Sequence, residues 1–147
     1  MHEAGTVAML AAGTAAWCVA ILAAPLWNLA PVYLFFSIIC HQQPARSWII
    51  AGEPLAVCIR CTAVYFGFFA GLLFHQAPNI RWLKVALALT AAEFVFAQVA
   101  AEIPLLRAVS GALLGASAAP IVRSGIEQMF ARFAHEAMYG MRSHSSG

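Results

Sequence analysis

Charge is what this chain has least of. Only 10% of its 147 residues are Asp, Glu, Lys or Arg, against about 25% in an average soluble domain. Hydrophobic residues make up 63% and the mean hydropathy is +0.81. Such a chain cannot cover itself with a water-compatible surface, so a soluble globular fold is excluded and the lipid bilayer is the expected partner. The formal net charge is only +2 and there is no basic stripe, which argues against nucleic acid. Met1-His2-Glu3 offers no basic run ahead of the Ala-rich stretch, so a cleaved signal peptide is not expected and the first apolar segment should be retained as a helix. Trp17 stands where a lipobox before Cys18 would need a small residue.

At ~20 residues per crossing, the length accommodates about four transmembrane helices and no separate soluble domain. The expected class is an all-α integral membrane protein with a single transmembrane helical domain over 1–142. The end, 143–147, reads as a disordered tail or a remnant of an expression tag. The first span is expected from Ala4 to Leu26, with Pro25 marking its end. Val32–Ile39 is apolar but only eight residues long, and reads as a short re-entrant or interfacial helix. Further spans are expected at Leu55–Phe74, Val85–Ile103 and Leu105–Val122. Pro104 separates the last two, and a short amphipathic helix is expected from Arg123 to Tyr139. Two small-xxx-small motifs, Gly67/Gly71 and Gly111/Gly115, permit close helix contact. Packing within the chain is the expected use, and a homo-oligomer the alternative.

Five of the eight Lys and Arg residues, Arg81, Lys84, Arg123, Arg132 and Arg142, fall in the second-to-third connection and the tail. By the positive-inside rule that side is cytoplasmic, with both termini there, in a prokaryotic inner membrane. The stretch from Cys40 to Cys61 then faces outward. Trp27, Tyr33, Trp48 and Trp82 fall near span ends, as an interfacial belt requires.

The outward stretch holds the chemistry. Cys40, His41, Cys58 and Cys61 form the ligand set of a soft or borderline metal, zinc first, with copper or iron behind it. Cys58 and Cys61 share one face of a helix start, where free backbone N–H groups and the Arg60 charge favour thiolate. His41 is either the fourth ligand or a neighbour of the site, because adjacent side chains diverge. The same thiols could instead exchange disulfides or form one structural bond. Cys18, deep in the first span, reads as a small apolar residue.

The pattern Cys40-His41-Gln42, Pro44, Arg46-Ser47, Gly52, Pro54, Val57-Cys58, Arg60-Cys61-Thr62, Tyr65 and Gly67 resembles the DUF2085 family of small predicted bacterial and archaeal membrane proteins. The specific match covers about thirty residues, Ser37 to Gly67. A glycine usually follows the threonine in that family, where Ala63 stands here. Arg107 with Ser110-Gly111 and Gly115, and Gln98 more loosely, look similar to polar positions in the family's later helices. The resemblance implies a multi-span fold carrying a Cys-His motif and no established activity.

Glu93, Gln98 and Glu102 lie in or near the third span, where ionisable groups are costly and tend to be functional. Glu93 is the deepest, free to carry protons, bind a cation, or pair with Arg46, Arg60 or Arg107. Arg46 and Ser47 follow a proline and could hold an anion or cap a turn. His75, His135 and His144 lack ligand partners at helical spacing. Three functions therefore stand open: a metal-binding membrane protein, a thiol–disulfide oxidoreductase acting through Cys58 and Cys61, and a small transporter or channel using Glu93.

Overall fold

The computed structural model of the chain describes residues 2–74, 77–99 and 103–144. The architecture is all-α: α1 (His2–Trp27), α2 (Ala30–Ser37), α3 (Ile59–Leu73), α4 (Ile80–Val99) and α5 (Pro104–His144). A one-turn 3-10 helix (Pro44–Arg46) and two antiparallel two-residue strands, β1 (Ile49–Ile50) and β2 (Glu53–Pro54), stand between α2 and α3. Gly5–Trp27, Ile80–Val99 and Pro104–Phe133 are each long and apolar enough to cross a membrane, which makes this a multi-pass membrane protein. α3 is apolar but has 15 residues, or ~22 Å of helix, less than the ~30 Å of bilayer hydrocarbon.

α2 is the short helix that eight apolar residues forecast. Pro31 sits in its first turn, and Phe36 is its buried residue. Leu34 and Ile38 are 73% and 81% exposed, a profile suited to lipid or to the membrane boundary. Asn28 makes the sharp entry from α1, with φ at 49°, a left-handed conformation that Asn tolerates better than most residues.

The centre of the fold is the seam between α3 and α5. Both small-xxx-small motifs face it, one from each helix. A Cβ on Gly67 would lie 2.2 Å from the Ala112 carbonyl oxygen, and one on Gly115 2.0 Å from that of Val64. Gly111 meets the Arg60 oxygen at 2.6 Å and Gly71 that of Ala116 at 2.6 Å. Each glycine thus presents a Cα–H to a carbonyl of the other helix, a weak contact that recurs at close helix crossings. The four glycines are covered by their own chain. α4 packs on α5, and α1 on α3.

Two further expectations need correction. The fourth span and the amphipathic helix after it are one continuous 41-residue helix with Pro120 inside it. Proline deprives the carbonyl four residues back of its partner. That carbonyl belongs to Ala116 and lies against Gly71, so the break is cushioned by α3. At ~60 Å, α5 is about twice as long as the hydrocarbon is thick and extends beyond it. The second span was expected to start at Leu55, but the polar stretch before it contains a hairpin. Its turn residues Ala51 and Gly52 have φ of 53° and 88°, the positive values that a tight two-residue hairpin demands. α3 accordingly begins at Ile59, while Leu55–Val57 stay non-helical and buried. α5 runs on to His144, and the rest of the expected tail, 145–147, lies outside the described residues, as do His75 and Glu102.

Substituting a seam glycine tests this packing. Gly115→Ala should cost about 2 kcal/mol through overpacking, read as a lower thermal midpoint in detergent. Gly13→Ala, where nothing lies within 4 Å of the new methyl, should leave the midpoint unchanged.

Candidate functional site

Two separate segments bring three sulfurs together. Cys40 follows the C-terminal end of α2, and its N–H bonds the Phe36 oxygen at 2.9 Å. Cys58 is the N-cap of α3, and Cys61 lies one turn on. The sulfurs of Cys40, Cys58 and Cys61 all lie within 4.8 Å of one another. The Cys40 Sγ also accepts the backbone N–H of Cys58 at 3.3 Å. All four cysteines are free thiols, and Cys18 stays apart, buried in α1.

Gln42 holds the two segments in register. Its backbone is left-handed, with φ at 47°. Its side-chain N–H₂ donates to the Tyr33 oxygen at 2.6 Å and to the Ala56 oxygen at 2.8 Å, tying α2 to the approach of α3. Tyr33 repeats the tie by donating its hydroxyl to the Pro54 oxygen at 2.6 Å. At the start of α3, Thr62 returns its hydroxyl to the Cys58 oxygen at 3.1 Å. Gln42 and Tyr33 were visible in the sequence only as a motif position and a belt aromatic.

The site is dry on its inner side. Cys40 belongs to a buried cluster with Ile21, Ala24, Phe36, Leu55, Ala56 and Val57. Trp17 of α1 meets Phe35 and Phe36 edge-on at 5.1 Å, and Tyr65 at 6.1 Å. Tyr65 is one turn beyond Cys61 on the same face of α3. Among the three thiols, Cys58 is the natural thiolate. Its acidity is raised, with a pKa near 5, first by the hydrogen bond from the Cys61 thiol, then by the Cys61 backbone N–H, the Cys40 thiol and the Arg60 backbone N–H, while burial opposes the shift. A helix N-terminus supplies those backbone donors.

The remaining candidates fall in different places. His41 is exposed, and no atom of it joins the group of three sulfurs. Arg46 is exposed on the 3-10 turn, and the Ser47 hydroxyl donates to the Gln43 oxygen at 3.1 Å. Gln98 is exposed on α4. Arg60, Glu93 and Arg107 come together on the opposite side of α3 from the thiols. Glu93, 4% exposed, pairs with Arg60 through one carboxylate oxygen and with the Arg107 Nε through the other at 3.2 Å. The Arg60 guanidinium also lies 5.9 Å from the centre of the Phe94 ring, within cation–π range. Glu93 therefore clasps the first turns of α3 and α5 to α4.

Comparison with known sequences meets this geometry. A family of proteins described as predicted membrane proteins, DUF2085, matches residues 40–121. The chain belongs to the DUF2085 family. The matched stretch opens on Cys40 and closes inside α5, taking in the three cysteines, the ion cluster and the glycine seam. An uncharacterized protein from Methanocaldococcus jannaschii is 37% identical over 65 residues, 38% of this chain and 42% of its own length. Another uncharacterized protein, from Methanothermobacter thermautotrophicus, is 40% identical over 51 residues, 35% of this chain and 46% of its own. The chain thus spans less than half the length of these curated relatives. No solved structure matches it.

Removing the carboxylate should expose the cost of the clasp. Glu93→Ala leaves two guanidiniums without their shared partner inside the bundle, an effect of about 3 kcal/mol. The expected result is a clear fall in the unfolding midpoint during denaturing-detergent titration, with Gln98→Ala unchanged.

Proposed function

We propose that this DUF2085 protein is a metal-binding membrane protein whose Cys40, Cys58 and Cys61 hold one zinc ion at the outward boundary of a prokaryotic inner membrane, with both termini cytoplasmic. The observation that carries this reading is the convergence of a third sulfur. A disulfide needs two thiols, and Cys58 and Cys61 would suffice. Cys40 arrives from another segment, held by the Gln42 and Tyr33 ties, and closes to within 4.8 Å of both. Three convergent thiols match the soft donor set that zinc takes, with copper or iron as competitors. The lowered pKa of Cys58 favours the deprotonated form that a metal requires. His41, exposed beside Cys40, contributes a ligand only if its ring turns inward.

The orientation follows the charge bias of Arg81, Lys84, Arg123, Arg132 and Arg142. These residues lie toward one end of α4 and α5, whereas the thiols lie at the other end of the bundle. A thiol–disulfide oxidoreductase is the second reading, because Cys58 and Cys61 sit at a helix N-terminus with unequal acidities. The transporter reading loses ground, since both oxygens of Glu93 are engaged by arginines.

Elemental analysis of the purified protein in detergent, with thiol titration, separates the readings. The expected result is about one zinc per chain, lost in Cys40→Ser, Cys58→Ser and Cys61→Ser and retained in Cys18→Ser. Metal-free protein with a reducible Cys58–Cys61 bond would sink the metal reading and favour the second.

A further inference from the structure

A groove of about 470 Å³ runs between α4 and α5, away from the thiols. Its walls include Trp82, Val85 and Leu89 on one helix and Leu113, Ser117 and Pro120 on the other. Each set follows the three- and four-residue spacing of a single helix face. From Trp82 to Leu89, as from Leu113 to Pro120, the helix rises ~10 Å. Val85 and Leu113 stay exposed within the groove, so it opens sideways rather than into the bundle. Both helices are long and apolar enough to cross a membrane. An unfilled apolar groove forfeits dispersion contacts, and the apolar matter at hand in a bilayer is an acyl chain.

One end of this groove is positively charged. Asn79, which also lines it, accepts the Arg81 backbone N–H at 3.0 Å and so caps α4. Arg81 begins the i, i+4 row whose next two members, Val85 and Leu89, form the wall. Lys84 lies three residues on, and Arg123 follows Pro120 by three residues of α5. Glu127 pairs loosely with Arg123, at 3.7 Å. Among the described residues no carboxylate pairs with Arg81 or Lys84. Trp82, 65% exposed, shares their turn, the place an interfacial indole takes beside headgroups. Apolar wall, indole and surplus cations thus follow one another in the order of acyl chain, glycerol ester and phosphate in a phospholipid.

We infer that the α4–α5 groove binds one anionic phospholipid, with an acyl chain against Val85, Leu89 and Leu113 and the headgroup phosphate held by Arg81 and Lys84. The inference goes beyond the metal reading and does not depend on it. The two cations select the headgroup. A zwitterionic headgroup brings its own ammonium to the same place and is repelled, whereas a net negative one is attracted. With the orientation proposed above, the lipid belongs to the cytoplasmic leaflet, where anionic headgroups concentrate and basic sites between helices take them up. Bound there, it bridges α4 to α5 along the face that α3 leaves uncovered.

Native mass spectrometry of the full-length protein in detergent tests this, with phosphatidylglycerol and phosphatidylcholine of matched chains offered together at equal concentration. The wild type should retain about one phosphatidylglycerol per chain in preference to phosphatidylcholine. Arg81→Gln combined with Lys84→Gln should lower that preference about tenfold, the scale expected of two cations near an anionic headgroup. Arg132→Gln, which removes a cation farther along α5, should leave it unchanged. Ser117→Leu, which fills the groove and keeps its charges, should release the lipid. Helical circular dichroism of wild-type size shows that each variant folds. No preference in the wild type, or one that Arg132→Gln lowers as much as the Arg81 and Lys84 pair, would overturn the inference. So would full lipid retention in Ser117→Leu, and dimeric ions in place of lipid-bound monomers would give the groove to a second copy instead. Zinc content should be the same in all these variants, so the metal reading stands or falls separately.

Discussion

Everything in this protein is referred to one contact: carbonyl oxygens of α3 and α5 resting on glycines of the opposite helix. Gly67, Gly71, Gly111 and Gly115 let the two backbones approach until oxygen meets Cα–H. In lipid there is little hydrophobic gain from bringing helices together, so close van der Waals packing and weak polar contacts supply the association. The seam also explains how α5 runs through Pro120, because the carbonyl that proline orphans rests on Gly71. α3, too short to be counted with the three long apolar helices, is anchored by α5 rather than by its own length.

That anchoring fixes the first turn of α3, and the first turn serves two faces. Arg60 turns one way and joins Glu93 and Arg107, clasping α3, α4 and α5. Cys58 and Cys61 turn the other way toward α1 and α2, where Cys40 meets them. An ion cluster on one side and a thiol cluster on the other therefore share a single helical turn. Buried charge is costly in such a setting unless it is paired, and Glu93 is paired on both oxygens.

Much of the fold was legible in the residues. Low charge and long apolar runs required a helical membrane protein, and the eight-residue apolar segment before Cys40 is the α2 that forms. The glycine motifs pack within the chain, as their spacing favoured. Pairing of Glu93 with Arg60 and Arg107 was among the open options. The continuity of α5 was not legible, because the cost of Pro120 depends on a neighbour more than forty residues away in sequence. The hairpin at Ala51-Gly52 was missed because alanine rarely takes positive φ and lacks the usual asparagine or aspartate signal.

The same division holds at the site. Residue type alone pointed to Cys40, His41, Cys58 and Cys61 as the candidate centre, since thiols at a helix start in a chain so poor in polar groups leave few other places for chemistry. The Cys58–Cys61 pairing also followed from sequence, through helical periodicity. Only the tertiary structure brought Cys40 to them, left His41 exposed beside it, and packed Tyr33, Trp17 and Tyr65 against the cluster that holds Cys40, with Gln42 tying its two segments. The reason is physical. Helical spacing relates residues a turn apart, whereas the meeting of α2, α1 and α3 depends on long-range hydrogen bonds and ring contacts that no local pattern encodes.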